Sequence, residues 1–398
     1  MEKIPNSLKS TSGKQKKKNR RVAVYGRGLD GEELLRQLRG RGIRGKRSLV
    51  AASCYVLMNS EEENFSFYAR YQHRLQKKPV YLKCDCRDFE GAEANLHFFC
   101  PEEIAARIYW RQAGLYQQAR QKKYRLKIAI LGFGRLEQEL LLWGLQNHIF
   151  SPDQRLEYHI FGDSSKFLAI YHELGQLEDP IIFHGNPWYE ELDLLKEADR
   201  ILIQDGRELR ELLFALPEKT IDVLAGRNGM ASLLGARDRL RIFFWEQEAG
   251  RPEYIFKGAL LKRAKELNLQ YAHIYDQVEN TKENREALWR GLDAFTRYSN
   301  ISSADYHEVR LAMLEDWRKE QGKNDPDTEY LEYLAKLEHI RWSRYHYLNN
   351  WRQGVPKDGR HKDVRQRIHK DLMPYEALSQ GDREKDREKV RLLLSMKF

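Results

Sequence analysis

Long apolar runs are missing from this chain. No stretch of about eighteen consecutive apolar residues occurs, and no apolar region follows a basic start, which argues against a membrane span and a secretory leader. Cysteine is scarce, four in 398 residues. Cys54 and Cys100 stand apart and only Cys84 and Cys86 lie close together, so no Cys/His spacing suggests zinc, and reduced, buried thiols fit a cytosolic protein. The signatures of common catalysis are also missing. There is no Gly-x-Ser-x-Gly, no His-Glu-x-x-His and no Gly-Lys-Ser/Thr phosphate loop, and the histidines are scattered. No residue stands out as the acid or base that hydride transfer needs beside a nicotinamide. The expectation is a soluble, cytoplasmic, non-enzymatic protein that holds no metal and cannot itself be a channel.

Basic residues are plentiful, with a net charge of +10. Residues 1–21 hold eight Lys/Arg against one Glu, a net +7 that leaves about +3 for the remainder. A stretch rich in Lys, Ser, Gly and Asn cannot bury a core, so residues 1–20 are expected to be a disordered, solubilising tail and not a specific nucleic-acid site. The basic-aromatic run Tyr68-Ala-Arg-Tyr-Gln-His-Arg74 reads as a helix with one core face and one solvated face.

Two segments carry the pattern strand, glycine turn, helix that a dinucleotide loop requires. In residues 21–122 a strand at Arg21–Tyr25 leads into Gly26-x-Gly28-x-x-Gly31 and a helix from Glu32. No acidic residue follows at the end of a second strand to hold a ribose. Arg41–Arg47 is too short to be that strand, and the chain runs on to a strand at Ser48–Ser53. A helix capped by Ser60 with Glu63, strands near Pro79–Cys84 and Asn95–Phe99, and a helix opened by Pro101 complete an abbreviated Rossmann-like domain.

The pattern restarts over residues 123–250. Leu126–Leu131 is a strand, Gly132-Phe-Gly134-Arg-Leu-Glu137 the turn, and Tyr158–Asp163 a strand ending in a carboxylate. Strands near Pro180–His184, Arg200–Gln204, Thr220–Leu224 and Leu240–Trp245 bring the count to six, the material of a doubly wound parallel sheet. Glu137 stands where a third glycine is usual, and its charge opposes an anion. Asp163 falls 29 residues after Gly134, late for a ribose ligand. Gly26, Gly28, Gly31, Gly132, Gly134 and Asp163 are the candidates for binding NAD or another nucleotide.

Residues 251–327 read as an amphipathic helical connector. Its Arg297, Ser299 and Asn300 bring polar groups to a helix junction, with Ser302 or Ser303 as possible caps, and Gly322-Lys-Asn-Asp-Pro326 marks its end. In residues 328–398 a helix from about Thr328 to Gly354 places Leu331, Leu334, Glu338, Trp342 and Tyr345 on one stripe. A carboxylate beside an indole on such a face is costly unless it meets a cation or donors. His369, Arg344, Lys385 and Arg387 are candidates for that role. Ser379 with Asp382 reads as a capping box opening a last helix. With an irregular connection between them, two long helices form a small module. Aromatic walls with Arg and Lys donors suit a nucleotide-like ligand, because bases stack on rings and phosphates take forked hydrogen bonds.

The order Leu334-x-x-x-Glu338-His339-x-x-Trp342, Trp351, His369-x-Asp371-Leu-x-Pro-Tyr375, Lys385-Asp-Arg387 resembles the RyR domain, named for its repeats in ryanodine receptors and also found singly in bacterial proteins. One departure is Lys370, where that family usually has Pro. The two glycine-turn segments resemble the NAD-binding domain of TrkA-type potassium-uptake regulators, and the connector resembles the helical segment joining the two parts in bacterial relatives. The resemblance implies an α/β chain of two tandem Rossmann-like segments, connector helices and a mostly helical sensing domain. It implies a pocket of Glu338, His339, Trp342, Arg344, Trp351, His369, Asp371, Tyr375, Lys385 and Arg387, and a membrane channel or effector protein as partner. A homodimer is the expected assembly. Ion-flux control or anti-phage signalling is family analogy alone. The alternatives are an NAD-dependent oxidoreductase, a nucleic-acid binder acting through the tail, and a purely structural assembly protein.

Overall fold

The computed structural model describes residues 21–26, 29–40, 44–46, 52–75, 77–85, 95–226, 229 and 237–396. The basic tail, Gly28 and Cys86 lie outside these residues. Among those described, no helix is long and apolar enough to cross a membrane.

Two parallel sheets form the α/β core. The first contains β1 (Arg21–Tyr25), β2 (Arg44–Lys46), β3 (Cys54–Leu57), β4 (Val80–Lys83) and β5 (Leu96–Phe99), in the order β2-β1-β3-β4-β5. Two sequence expectations are corrected here. Arg44–Lys46 does form a strand, paired in parallel with β1 from Arg21↔Arg44 to Ala23↔Lys46. Edge pairing to β1 supplies what Arg-Gly-Lys lacks in propensity. The third described strand is Cys54–Leu57, beyond the expected Ser48–Ser53, of which 48–51 lie outside the described residues, and its Tyr55, Val56 and Leu57 are buried as an internal parallel strand requires. Helix α1 (Leu29–Gly40) covers one face through Leu34, Leu35 and Leu38. Helix α2 (Glu61–Leu75) covers the other through Tyr68 and Leu75. Ser60 caps α2, accepting the Glu63 N–H at 3.3 Å.

The second sheet contains β6 (Arg125–Leu131), β7 (Arg155–Phe161), β8 (Ile181–His184), β9 (Arg200–Gln204), β10 (Ile221–Ala225) and β11 (Leu240–Phe244). Their order, β11-β10-β9-β6-β7-β8, is the doubly wound dinucleotide-fold arrangement, with its reversal point between β6 and β9. Helices α3 (Pro101–Gln112) and α4 (Leu115–Gln121) join the two sheets. Helix α5 (Arg135–Asn147) follows β6 and is buried along almost its whole length. Its Trp143, fully buried, belongs to one core cluster with Ile128 and Ile160 of the sheet, Tyr306, Leu337 and Val390.

Those last three residues belong to the C-terminal half. After α6 (Ser165–Ile170), α7 (Leu192–Glu197), α8 (Arg207–Ala215), α9 (Trp245–Ala249) and α10 (Pro252–Ile255) come α11 (Lys262–Asp276), α12 (Lys282–Gly291), α13 (Ala294–Gln321), α14 (Thr328–Tyr347) and α15 (Gln380–Ser395). Ser302 and Ser303 are not caps. Both are buried in the middle of α13, whose cap is Asp293 accepting the Thr296 N–H at 2.6 Å. Helix α14 ends at Tyr347, short of the expected Gly354, because Asn350 takes a left-handed conformation (φ 57°) that breaks the ladder. The connection to α15 is more regular than expected. It contains β12 (Arg352–Gln353), β13 (Lys362–Asp363) and β14 (Ile368–His369) in the order β12-β14-β13. The expected cap on α15 is present, Ser379 Oγ accepting the Asp382 N–H at 3.2 Å.

Candidate functional site

The stripe on α14 divides into a sealed part and an open part. Glu338 has no exposed surface, and three cations enclose it. Arg341 grips it with two bonds, at 3.0 and 2.8 Å, Arg310 of α13 approaches to 2.6 Å and Lys389 of α15 to 2.7 Å. Burial alone would push this carboxyl up, but Arg341, Lys389 and Arg310 hold it well below the usual carboxylate range. The need for countercharge was legible, yet none of the four expected partners supplies it. Glu338 is therefore not free to receive a ligand.

Arg344 is also corrected. It points away from the module and fastens α14 to the second sheet, bonding Asp179 at 2.8 Å, Glu178 at 3.1 Å and the Leu145 carbonyl at 3.3 Å. Arg387 pairs with Glu332 and Glu384, each at 2.7 Å, and Lys385 with Asp382 at 2.7 Å. Trp351 is buried with its ring 5.2 Å from that of Phe295, and Tyr375 is buried 5.8 Å from the His339 ring. His339 is held between Asp386 (3.2 Å) and the Met373 carbonyl (2.8 Å).

What remains open is the face around half-buried Trp342. Its ring lies 4.1 Å from that of His346 and 4.9 Å from that of His369. The His369 Nδ1 accepts the Asp371 N–H at 3.1 Å. Burial lowers His369 to about 4, with Lys362, His361 and Lys370 adding to the effect and Asp371 opposing it. Beside them, one ligand-type atom each of His361, Asp371 and Asp382 lie within 4.8 Å of one another. Asp85, Cys100 and Glu102 form a second such group at the end of the first sheet.

The two glycine turns differ. In the first, Gly26 (φ 152°) and Gly31 are enforced by contact. A Cβ on Gly26 would stand 2.9 Å from that of Met58, and one on Gly31 3.3 Å from the Gly26 carbonyl oxygen. In the second, Gly132 (φ 96°) and Gly134 form the turn, but the Glu137 carboxyl lies over it. Glu137 is 1% exposed. Burial pushes its carboxyl up, and the N–H groups of Glu137 and Gly134 and the Gln204 side chain pull it part of the way back. Those donors are off-line, since neither carboxyl oxygen has a partner at hydrogen-bond geometry. Asp163 is spent locally, accepting the Ser165 N–H at 3.0 Å.

A site the sequence reading missed lies between the first sheet and the connector helices. It is a cavity of about 700 Å³ lined by β4, β5, the start of α3, α10, α11, α12 and α13. Tyr81, Phe99, Phe256, Trp289 and Tyr298 supply aromatic walls. Five cations line it, Arg107, Lys257, Lys265, Arg290 and Arg297, against the carboxylates of Asp85, Glu103 and Glu286. Arg107 is committed to Asp305 at 2.6 and 3.1 Å, and Lys265 to Glu286 at 2.6 Å. Lys257, Arg290 and Arg297 make no ion pair among the described residues. Arg297 sits 5.9 Å from the Trp289 ring centre and gives one N–H to the Leu292 carbonyl. The available signal was the run Trp289 to Asp305, whose Arg297 the sequence placed only at a helix junction.

No family model and no curated protein matches this chain. Among solved structures it is similar to a component of dipicolinate synthase from Bacillus halodurans, with 13% identity over 61% of this chain and 97% of that one, at a TM-score of 0.26. It is similar to the apo form of D-lactate dehydrogenase from Escherichia coli, with 13% identity over 77% and 98% of the two chains, at 0.25. It is also similar to the NAD-complexed D-isomer specific 2-hydroxyacid dehydrogenase from Lactobacillus delbrueckii ssp. bulgaricus, with 11% identity over 77% and 100%, at 0.21. The expectation of a non-enzyme is corrected by this finding. Chains of similar fold include two dehydrogenases and a component of a synthase, so missing motifs do not exclude catalysis. At such identities and scores the likeness concerns the Rossmann-type core, which the strand orders establish by themselves, and carries no reaction over to this chain.

Proposed function

We propose that this chain is a cytoplasmic regulatory protein that binds a nucleotide-derived ligand between its first sheet and its connector helices and transmits the binding to its C-terminal module. One observation carries the reading. The 700 Å³ cavity has the size of a small-molecule site, aromatic walls and, among the described residues, three cations without carboxylate partners. Rings stack on a base, and guanidinium and ammonium groups take phosphate oxygens. Helix α13 supplies the route. Its first turns contribute Arg297, Tyr298 and Ile301 to the cavity, and its middle places Arg310 on Glu338 of the C-terminal module. A ligand that favours one seating of α13 shifts the equilibrium between two arrangements by its differential affinity. The resemblance to RyR and TrkA-type domains agrees with a sensing role and implies a channel or other effector as the partner that reads it.

A second reading rests on the half-open face of Trp342, His369 and Asp371, where the same ligand class would stack on the indole. A thermal-shift panel of NAD, ADP-ribose, ATP and cyclic nucleotides separates the two. At about a hundredfold excess over its dissociation constant, a bound ligand adds about 2.7 kcal/mol. The cavity reading expects that shift to vanish in Trp289→Ala and to survive in Trp342→Ala. The reverse pattern selects the second reading, and no shift with any nucleotide removes both.

A further inference from the structure

We propose that Glu137 is an internal occupant of the seat a dinucleotide pyrophosphate takes in a Rossmann turn, so that the second sheet is closed to dinucleotides and exchange of this one side chain opens it. The turn has the right position, after β6 and before α5, where the strand order reverses. A pyrophosphate in such a turn would rest on the glycine backbone and the first N–H groups of the helix. Here a Cβ on Gly134 would stand 3.1 Å from Glu137 Oε2 and one on Gly132 4.0 Å from Oε1, so the carboxyl covers both glycines. It is 1% exposed, and both oxygens lack a partner at hydrogen-bond geometry. Its burial cost is offset in part by the N–H groups of Gly134 and Glu137 at the helix N-terminus and by the Gln204 side chain. A second anion would meet its charge as well as its bulk.

Two further features agree. Phe133, the middle residue of the turn, packs its ring 5.0 Å from Phe167 and 5.8 Å from Phe183, filling the space beyond β7 and β8 with the chain's own side chains. The backbone is pressed close there, since a Cβ on Gly162 would fall 2.9 Å from the Phe133 nitrogen. The carboxylate of Asp163, which a ribose would need, is already engaged by Ser165. The turn retains the shape of a dinucleotide loop while its own side chains fill it.

The test is titration calorimetry of NAD and ADP-ribose into the full chain, unaltered and as Glu137→Gly, each also in a Trp289→Ala background to remove binding in the cavity of the first sheet. Glu137→Gly is expected to gain at least tenfold in affinity, and the gain is expected to persist with Trp289→Ala. Equal affinity of the unaltered chain and Glu137→Gly, with an unchanged far-ultraviolet spectrum, overturns the proposal. So does a gain that disappears with Trp289→Ala. Where glycine loosens α5 and the variant unfolds, Glu137→Ala is titrated in its place and read by the same two outcomes.

Discussion

A carboxylate with no access to water needs countercharge, and Glu338 has three cations around it. Removing it strands Arg310, Arg341 and Lys389 in the interior. Glu338→Gln is expected to lose about 3–5 kcal/mol in urea unfolding, the usual cost of breaking a buried pair. Glu137 shows the opposite case. Its folded pKa is raised by burial, so the folded state holds the proton more tightly than the unfolded chain, and the penalty appears as pH rises above the ordinary carboxyl value of 4.5. Glu137→Gln is accordingly expected to be more stable than the parent at pH 7, with the difference closing near pH 4. Denaturant midpoints at the two values check it. His369 runs the other way again. Its folded value of about 4 lies below 6.5, so the stability it contributes is complete above about 6.5 and is lost as pH falls toward 4. Trp342 fluorescence is expected to report that loosening, and His369→Gln to flatten it. Residue identities were legible where chemistry forced them. The sequence demanded a partner for Glu338 but could not say which, because Arg310 comes from a helix whose docking on α14 is a tertiary fact.

At the scale of elements, caps and glycine turns were readable because they act within four residues. Ser60, Ser379 and the turn at Gly132 and Gly134 stand where their local chemistry puts them. Failures came where distant contacts overrode local preference, as in the three-residue β2 and in α13 running straight through Ser302 and Ser303. Arg341 of α14 explains one of them, since its guanidinium donates to Ser302 Oγ at 3.1 Å and gives that buried hydroxyl a partner from the neighbouring helix. The cavity was illegible for a related reason. Its lining is drawn from seven helices and strands spread between residues 81 and 301, none of which carries a motif by itself. The tie most exposed to mutation is Arg107 of α3 with Asp305 of α13, a two-pronged pair with both partners buried. Asp305→Asn is expected to cost about 3–5 kcal/mol. It should also weaken any nucleotide shift, since it loosens α13 beside the cavity. Retention of the full ligand response in a destabilised Asp305→Asn protein would count against α13 as the coupling element.

At the scale of the whole molecule, one core cluster runs from the second sheet through α5 to α13, α14 and α15. Four of the five segments read from the sequence contribute residues to it. Ending the chain after residue 327 removes α14 from α5 and α13 and uncovers the apolar surface it shields. Such a truncation is expected to aggregate or to melt well below the full chain, and calorimetry of the full chain to show the second sheet and the C-terminal module unfolding together. A truncated protein with an undiminished transition would show that the second sheet does not depend on this cover.

Arg344 gives this arrangement a mechanical meaning. By pegging α14 to Asp179 and to the Leu145 carbonyl, it bolts the last helices to the larger sheet. Held on both flanks, α14 gives α13 a fixed far bearing, and the void lies between the smaller sheet and the near end of α13. A guest lodged in that gap would act as a wedge, and the far end of the chain would feel it as torque delivered along a single rod.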